Sequence, residues 1–215
     1  MADSHGVVAH HFDNFAQQQE ASRLGMWAFL VTEIMFFGGA FLGYTVYRDA
    51  YTEAFSHASN HMDVVLGTVN TAVLIGSSLT VALAVHAAHD SKQKALLIYL
   101  FMTMALGMIF LGIKFFEYYH HYEAELVPGW RFDYQGADPR HAAIFFSFYF
   151  TMTGLHAVHM IIGIGMFLVL AFNSWRGRYS GVYYTPVELG GLYWHFVDIV
   201  WIFLFPLFYL LGRHS

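Results

Sequence analysis

The chain has 215 residues, 57% of them hydrophobic and 12% charged, and a mean hydropathy of +0.47 places it among membrane proteins rather than soluble domains. A formal net charge of -5 supplies no basic stripe, which removes nucleic acid as a partner. The absence of cysteine removes disulfides, thiolate metal sites, iron–sulfur clusters and cysteine nucleophiles together, so metal or covalent chemistry would have to draw on His, Asp, Glu, Met or Ser.

In chain order, residues 1–23 form a polar arm without the basic region and short apolar core of a secretory signal. Five apolar segments follow, each long enough to cross a hydrocarbon core that takes about 20 helical residues. They lie near 24–47, 64–88, 95–119, 141–172 and 187–211, with a tail at 213–215. The fold class read from this pattern is all-α, a polytopic membrane bundle of five transmembrane helices in one domain, 24–212. The fourth segment is too short for two spans and a turn, so it predicts one tilted helix projecting beyond the bilayer. An odd number of spans puts the termini on opposite sides. Lys92, Lys94, Arg176 and Arg178 fall in the two short loops on one side, against Arg48, Arg131, Arg140 and Arg213 on the other, which favours a cytoplasmic N-terminus and a periplasmic C-terminus. Trp27, Trp130, Trp175, Tyr183 and Tyr184 lie near segment ends, where an aromatic belt belongs.

The informative residues are the polar ones inside the spans. An Asp, Lys or Arg at a span's centre costs roughly 2.5–3.5 kcal/mol on insertion scales, and each such residue is a functional candidate. Glu33 lies about two turns into the first predicted span, where both a hydrogen bond to a neighbouring helix and a proton-linked role are open to it. In the second span Asn70, Ser77, Gly67 and Ser78 form a small and hydroxylated stripe that predicts helix packing, and Gly39 and Gly43 form a similar pair in the first. Lys114 and Glu117 are three apart, at ion-pair spacing, with the lysine expected to snorkel to the interface. His156 and His159 are one turn apart, about 4.5 Å along the axis, too close to serve two stacked haems. A single haem would need a partner such as His195 or His86, and no second shell supports either. His120, His121 and the N-terminal histidines lack the H-E-x-x-H context of a zinc site. No metal site is expected. His195 and Asp198 share one face of the last span, and a buried carboxyl there must bond its neighbour or another helix.

The stretches "WAFLVTEIMFFGGAF", "VNTAVLIGSSLTV", "GMIFLGIKFFEYYH", "FYFTMTGLHAVHMIIG" and "YWHFVDIVWIFLF", one per span and in order, resemble subunit III of haem–copper terminal oxidases of the cytochrome c oxidase type. The resemblance covers about Leu24 to Gly212 and has the family's five-helix form. Glu33 matches its intramembrane glutamate, with Thr32 in place of the usual Ser. Glu117 matches the glutamate of its "Q-x-x-EY" motif, where Lys114 replaces Gln, so that motif's hydrogen bonds do not carry over. His156 and His159 match the "TG-x-H-x-x-H" pair, and Glu188, His195 and Asp198 match the final span. The resemblance implies a non-catalytic subunit of a proton-translocating oxidase in a bacterial-type inner membrane, stabilising subunit I and supporting proton uptake. It further implies that this chain binds no redox cofactor, that haems and copper sit in the partner subunits, that subunits I and II are its partners, possibly beside further respiratory-complex subunits, and that it binds phospholipid. Within the family a quinol oxidase or a nitric-oxide-reductase-associated homologue stays open. A proton-coupled transporter would also keep intramembrane carboxyls, but it predicts repeat symmetry and broken helices, and Pro206 is the single in-span proline.

Overall fold

The computed structural model describes residues 12–129, 132–136, 138–179 and 183–210. Six helices follow one another: α1 (Phe15–Ala50), α2 (Thr52–Ser59), α3 (Val64–His89), α4 (Gln93–Glu123), α5 (Pro139–Trp175) and α6 (Thr185–Tyr209). Five of them are long and apolar enough to cross a membrane, as the hydropathy pattern predicts, and no strand occurs among the described residues. The chain is an integral membrane protein.

The helix ends explain why the spans stop where they do. Inside a bilayer every backbone group must be satisfied within the protein, so the caps carry real weight. Asn14, Asp63 and Asp138 each accept a hydrogen bond from the amide three residues on, at 2.9, 3.0 and 3.3 Å, which serves donors that have no intrahelical partner. At the other ends, Ser91, Glu125 and Gly177 take positive φ values of 57°, 56° and 71°. Each of these residues closes a Schellman turn. Lys92 N–H reaches Ala87 O, Leu126 N–H reaches His121 O and Arg178 N–H reaches Asn173 O at 2.9–3.1 Å, the six-to-one bond of that motif. The last carbonyls of α6 use side chains instead: Tyr44 donates to Leu207 O at 2.8 Å and Ser59 to Phe208 O at 3.0 Å.

Two helices run past the predicted spans. α1 starts at Phe15, nine residues before the predicted segment, so part of the N-terminal arm is the first turns of this helix; residues 1–11 lie outside the described set. With 36 residues α1 is about 54 Å long at helical rise, well beyond a hydrocarbon core of about 30 Å. Helix α5 is a single unbroken element of 37 residues. The short α2 is absent from the hydropathy pattern because eight residues cannot span. It lays Phe55, Ala54 and Ala58 against the bundle.

Helix α6 is the axis of the bundle, packed against α3 and α5, with α3 also packed along α4 and α4 on α5, while α1 leans on α5 and α6. Its two tryptophans, Trp194 and Trp201, are fully buried, and the glycines opposite them make that possible. A Cβ on Gly107 or Gly163 would stand 2.8 Å from the Trp194 ring, inside van der Waals contact. Gly67 likewise lies under Phe205, as the small-residue stripe predicts. The Gly39/Gly43 pair differs from expectation. Gly43 meets Phe148 at 3.5 Å, but nothing comes within 4 Å of Gly39, because α1 is peripheral and turns that face outward. Helices α1 and α6 run parallel, since Gln19 near the start of α1 bonds Thr185 at the start of α6 and Tyr44 near its end bonds Leu207. The described ends therefore emerge at opposite ends of the bundle, as an odd number of spans requires.

Candidate functional site

The polar residues inside the spans fall into four places in the bundle. The tightest joins α4, α5 and α6. Lys114 is 3% exposed, and its three ammonium protons are all used: Glu117 Oε2 at 2.9 Å, Tyr209 OH at 2.8 Å and Tyr149 OH at 3.1 Å. Tyr209 in turn donates to the other carboxylate oxygen, Glu117 Oε1, at 2.5 Å. The Lys114 ammonium also faces the rings of Tyr149 and Trp201 at 4.9 and 5.0 Å, favourable for a desolvated cation. The predicted spacing thus forms an ion pair, but the predicted snorkelling does not occur. Glu117 on the same helix and two tyrosines from two others supply enough acceptors inside the bundle to hold the charge there.

The second place joins α1 to α5. His159 Nε2 and Glu33 Oε2 are 3.1 Å apart. His159 Nδ1 is 2.8 Å from Leu155 O, and since a carbonyl only accepts, that nitrogen carries a proton. Nε2 and Glu33 then share one further proton, held either as imidazolium and carboxylate or as neutral imidazole and carboxylic acid. Phe37 covers the imidazole edge-on at 5.3 Å. Because α1 begins at Phe15, Glu33 stands at the middle of its helix.

The third place joins α3 to α6. His195 does not bond Asp198; its Nδ1 meets Ser78 Oγ on the neighbouring helix at 2.7 Å. Asp198 is 5% exposed, and neither of its carboxyl oxygens has a hydrogen-bond partner among the described residues. Ser78 on α3 therefore stands between the two, 2.7 Å from the imidazole and beside the carboxyl. Two tryptophans pin the same helix pair: Trp194 Nε1 donates to Ser77 Oγ and Trp201 Nε1 to Thr71 Oγ1, each at 3.0 Å. Tryptophan N–H donors meeting the hydroxyl stripe of α3 were legible only as two lists of residues, since sequence spacing does not pair one helix with another.

The fourth place is His156, buried between Phe110 at 5.4 Å and Trp201 at 5.2 Å, with both ring nitrogens unpartnered among the described residues. Asn70, part of the predicted packing stripe, is buried with its amide unpartnered in the same way. Glu188 lies apart from all of these, at the start of α6, in an exposed ion pair of 3.1 Å with Arg23. His86, the other haem candidate, is exposed near the end of α3 beside Asp90 at 3.7 Å. Asp90 itself, in the loop, is held below the usual carboxylate range by its bond from Lys92 at 2.9 Å. No three His, Asp or Glu side chains converge on one point among the described residues. The arrangement ties helices together and, at Glu33 and His159, can hold and exchange a proton.

Comparison with known proteins adds an independent line. The family model described as cytochrome c oxidase subunit III matches residues 8–213. The cytochrome c oxidase subunit 3 of Alkalihalophilus pseudofirmus is 36% identical over 196 residues, covering 88% of this chain and 86% of the relative. That of Thermostichus vulcanus is 32% identical over 191 residues, covering 88% and 87%. The cytochrome bo(3) ubiquinol oxidase subunit 3 of Pseudomonas aeruginosa is 31% identical over 212 residues, covering 99% and 95%.

Proposed function

The chain belongs to the cytochrome c oxidase subunit III family, and from that premise we propose that it serves as a non-catalytic subunit of a proton-translocating haem–copper oxidase. In this reading the haems and copper belong to partner subunits I and II, and the chain steadies subunit I and supports proton uptake. The observation that carries the reading is the Lys114–Glu117–Tyr149–Tyr209 cluster, where three helices spend their buried charge on one another. Such a closed network fixes helix register and leaves no open position for a reacting group.

Glu33 and His159 are the proton-collecting pair of this proposal, since they are the two of the seven candidates that bond each other across helices. Glu117 and His195 tie helices together by hydrogen bonds, His156 and Asp198 are buried between them, and Glu188 with Arg23 ties the start of α6 to α1. The N-terminus faces the cytoplasm of a bacterial-type membrane, the orientation favoured by Lys92, Lys94, Arg176 and Arg178, and phospholipid covers the outward apolar faces.

Relatives named for cytochrome c oxidase and for ubiquinol oxidase align over similar shares of the chain. The electron donor is therefore a property of the partner subunit, and a copper-bearing domain there identifies cytochrome c. Capture of the chain in mild detergent, with identification of the co-purifying polypeptides and a reduced-minus-oxidised spectrum, tests the proposal. A haem–copper subunit I is expected in the captured material, and its absence would end this reading.

A further inference from the structure

His159 is held from three directions, by α1, by α6 and by its own helix. Its Nε2 meets Glu33 of α1 at 3.1 Å, and its Nδ1 donates to Leu155 O of α5 at 2.8 Å. Its backbone carbonyl accepts a further bond, 3.0 Å long, from the phenol of Tyr193 on α6. Tyr193 is 5% exposed, and a buried phenol O–H needs an acceptor within the protein. Gly163, one turn beyond His159 on α5, opens the way to that acceptor. A Cβ there would stand 3.2 Å from the Tyr193 ring and 2.8 Å from the Trp194 ring, so the missing side chain lets the phenol reach the turn that carries His159.

The same tyrosine touches α1. Its ring lies 6.0 Å from that of Phe29, one turn before Glu33, and one turn after Glu33 the Phe37 ring lies 6.4 Å from that of Phe196, also on α6. Helix α6 therefore braces α1 on both sides of Glu33 and braces α5 at the carbonyl of His159. The distance between the Glu33 carboxyl and the His159 imidazole is thus set through α6, although both residues lie on other helices. Few other titratable groups face the pair. Tyr193 is near Glu33 from α6, His156 lies one turn before His159 on α5, and α1 carries no other ionisable side chain within two turns of Glu33. His195 and Asp198 of α6 turn to Ser78 on α3 instead.

We propose that Tyr193 is a positioning residue for the Glu33–His159 pair, tying the α5 turn that carries the imidazole to the α1 segment that carries the carboxyl. This inference rests on the reading of that pair as the proton-collecting site and names the part of α6 that keeps it in register. The bond between the two side chains exists only while they hold their shared proton, since a carboxylate and an imidazole lone pair are both acceptors. A looser contact weakens the hold on that proton, and the pair then gives it up at lower pH.

The test uses the intact oxidase complex. An infrared pH titration follows the Glu33 carboxyl and the His159 imidazole, with bands assigned by their loss in Glu33→Gln and His159→Gln, and turnover is measured over the same pH range. Tyr193→Phe keeps the ring against Phe29 and removes only the bond to His159 O. It is expected to assemble normally and to lower both the infrared midpoint and the alkaline limb of turnover by about half a pH unit, the scale of one hydrogen bond. Phe29→Ala, at a position 39% exposed, withdraws the α1 side of the brace without touching the Tyr193 hydroxyl and should move both readouts in the same direction. Tyr118→Phe, which removes a phenol's bond to Thr153 elsewhere on α5, should move neither. An infrared midpoint unmoved in both Tyr193→Phe and Phe29→Ala, or moved equally by Tyr118→Phe, would overturn the positioning role; if Glu33→Gln still alters the turnover profile in that case, the functional reading stands. A lowered midpoint beside a native turnover profile in Glu33→Gln would uphold the positioning role and end the proton-collecting reading.

Discussion

Replacing Glu117 by Leu isolates the energetics of the buried cluster. The substitution conserves bulk but leaves the Lys114 ammonium with only the two phenol oxygens of Tyr149 and Tyr209, at 3.1 and 2.8 Å, and strips Tyr209 of its acceptor at 2.5 Å. Removing one member of a buried ion pair costs about 3–5 kcal/mol, because the uncompensated charge stays inside, whereas replacing both members by apolar residues is often nearly neutral. Glu117→Leu and Lys114→Met should each destabilise by about that amount, and the double variant by much less than their sum. The removal of Tyr209 by Phe, losing one bond to each charge, should cost more than Tyr149→Phe, which loses only an acceptor for Lys114, with about 1.5–3 kcal/mol expected per bond to a charged group. Titration of the purified chain with SDS in mixed micelles, followed by far-UV circular dichroism and tryptophan fluorescence, reads these differences as a double-mutant cycle. Additive effects, with the double variant as unstable as the two single losses combined, would refute the closed-network argument.

Three further outcomes follow from the same geometry. Glu33→Gln preserves a hydrogen bond to His159 Nε2 but removes the shared proton, so assembly should persist while the pH profile of oxidase turnover changes; an unchanged profile would leave the pair with packing alone. Gly163→Ala and Gly107→Ala each drive a methyl to 2.8 Å from Trp194 and should cost about 1–3 kcal/mol in the SDS titration, whereas Gly39→Ala, which meets nothing within 4 Å, should be neutral or slightly stabilising. Asp138, the N-cap of α5 outside the spans, is held below the usual carboxylate range first by the His141 side chain at 2.5 Å and then by its amide. Because the folded value lies below the unfolded one, its support is present above the ordinary carboxylate range and is lost as pH falls through the lowered value. The protection factor of amides in the first turn of α5 should therefore fall only in acid, and a loss of protection that begins near neutrality as pH is lowered would contradict this.

The fold was legible in the sequence because the bilayer makes one rule dominate: a run of about 20 apolar residues must be helical to satisfy its backbone. The same rule hides where helices stop, since polar turns such as Phe15 to Arg23 continue a helix beyond the hydrocarbon without any hydropathy signal. Within one helix, spacing predicted contacts well, as the Lys114–Glu117 pair shows. Between helices it did not. Nothing in the spacing of α1 or α5 states that Glu33 meets His159, or that Ser78 rather than Asp198 takes His195, because those pairings depend on rotation and crossing of whole helices. Lys114 was misplaced at the interface for the same reason: its acceptors, Tyr149 and Tyr209, lie 35 and 95 residues away.

The most direct test of the central claim compares the oxidase complex before and after selective removal of this chain. Haem and copper per complex, the reduced-minus-oxidised spectrum, initial turnover and turnover sustained over many cycles would all be read. The account predicts unchanged metal content, spectrum and initial electron transfer, with sustained turnover and proton uptake impaired. Loss of haem in proportion to the polypeptide removed, or a haem band that travels with the isolated chain, would contradict it.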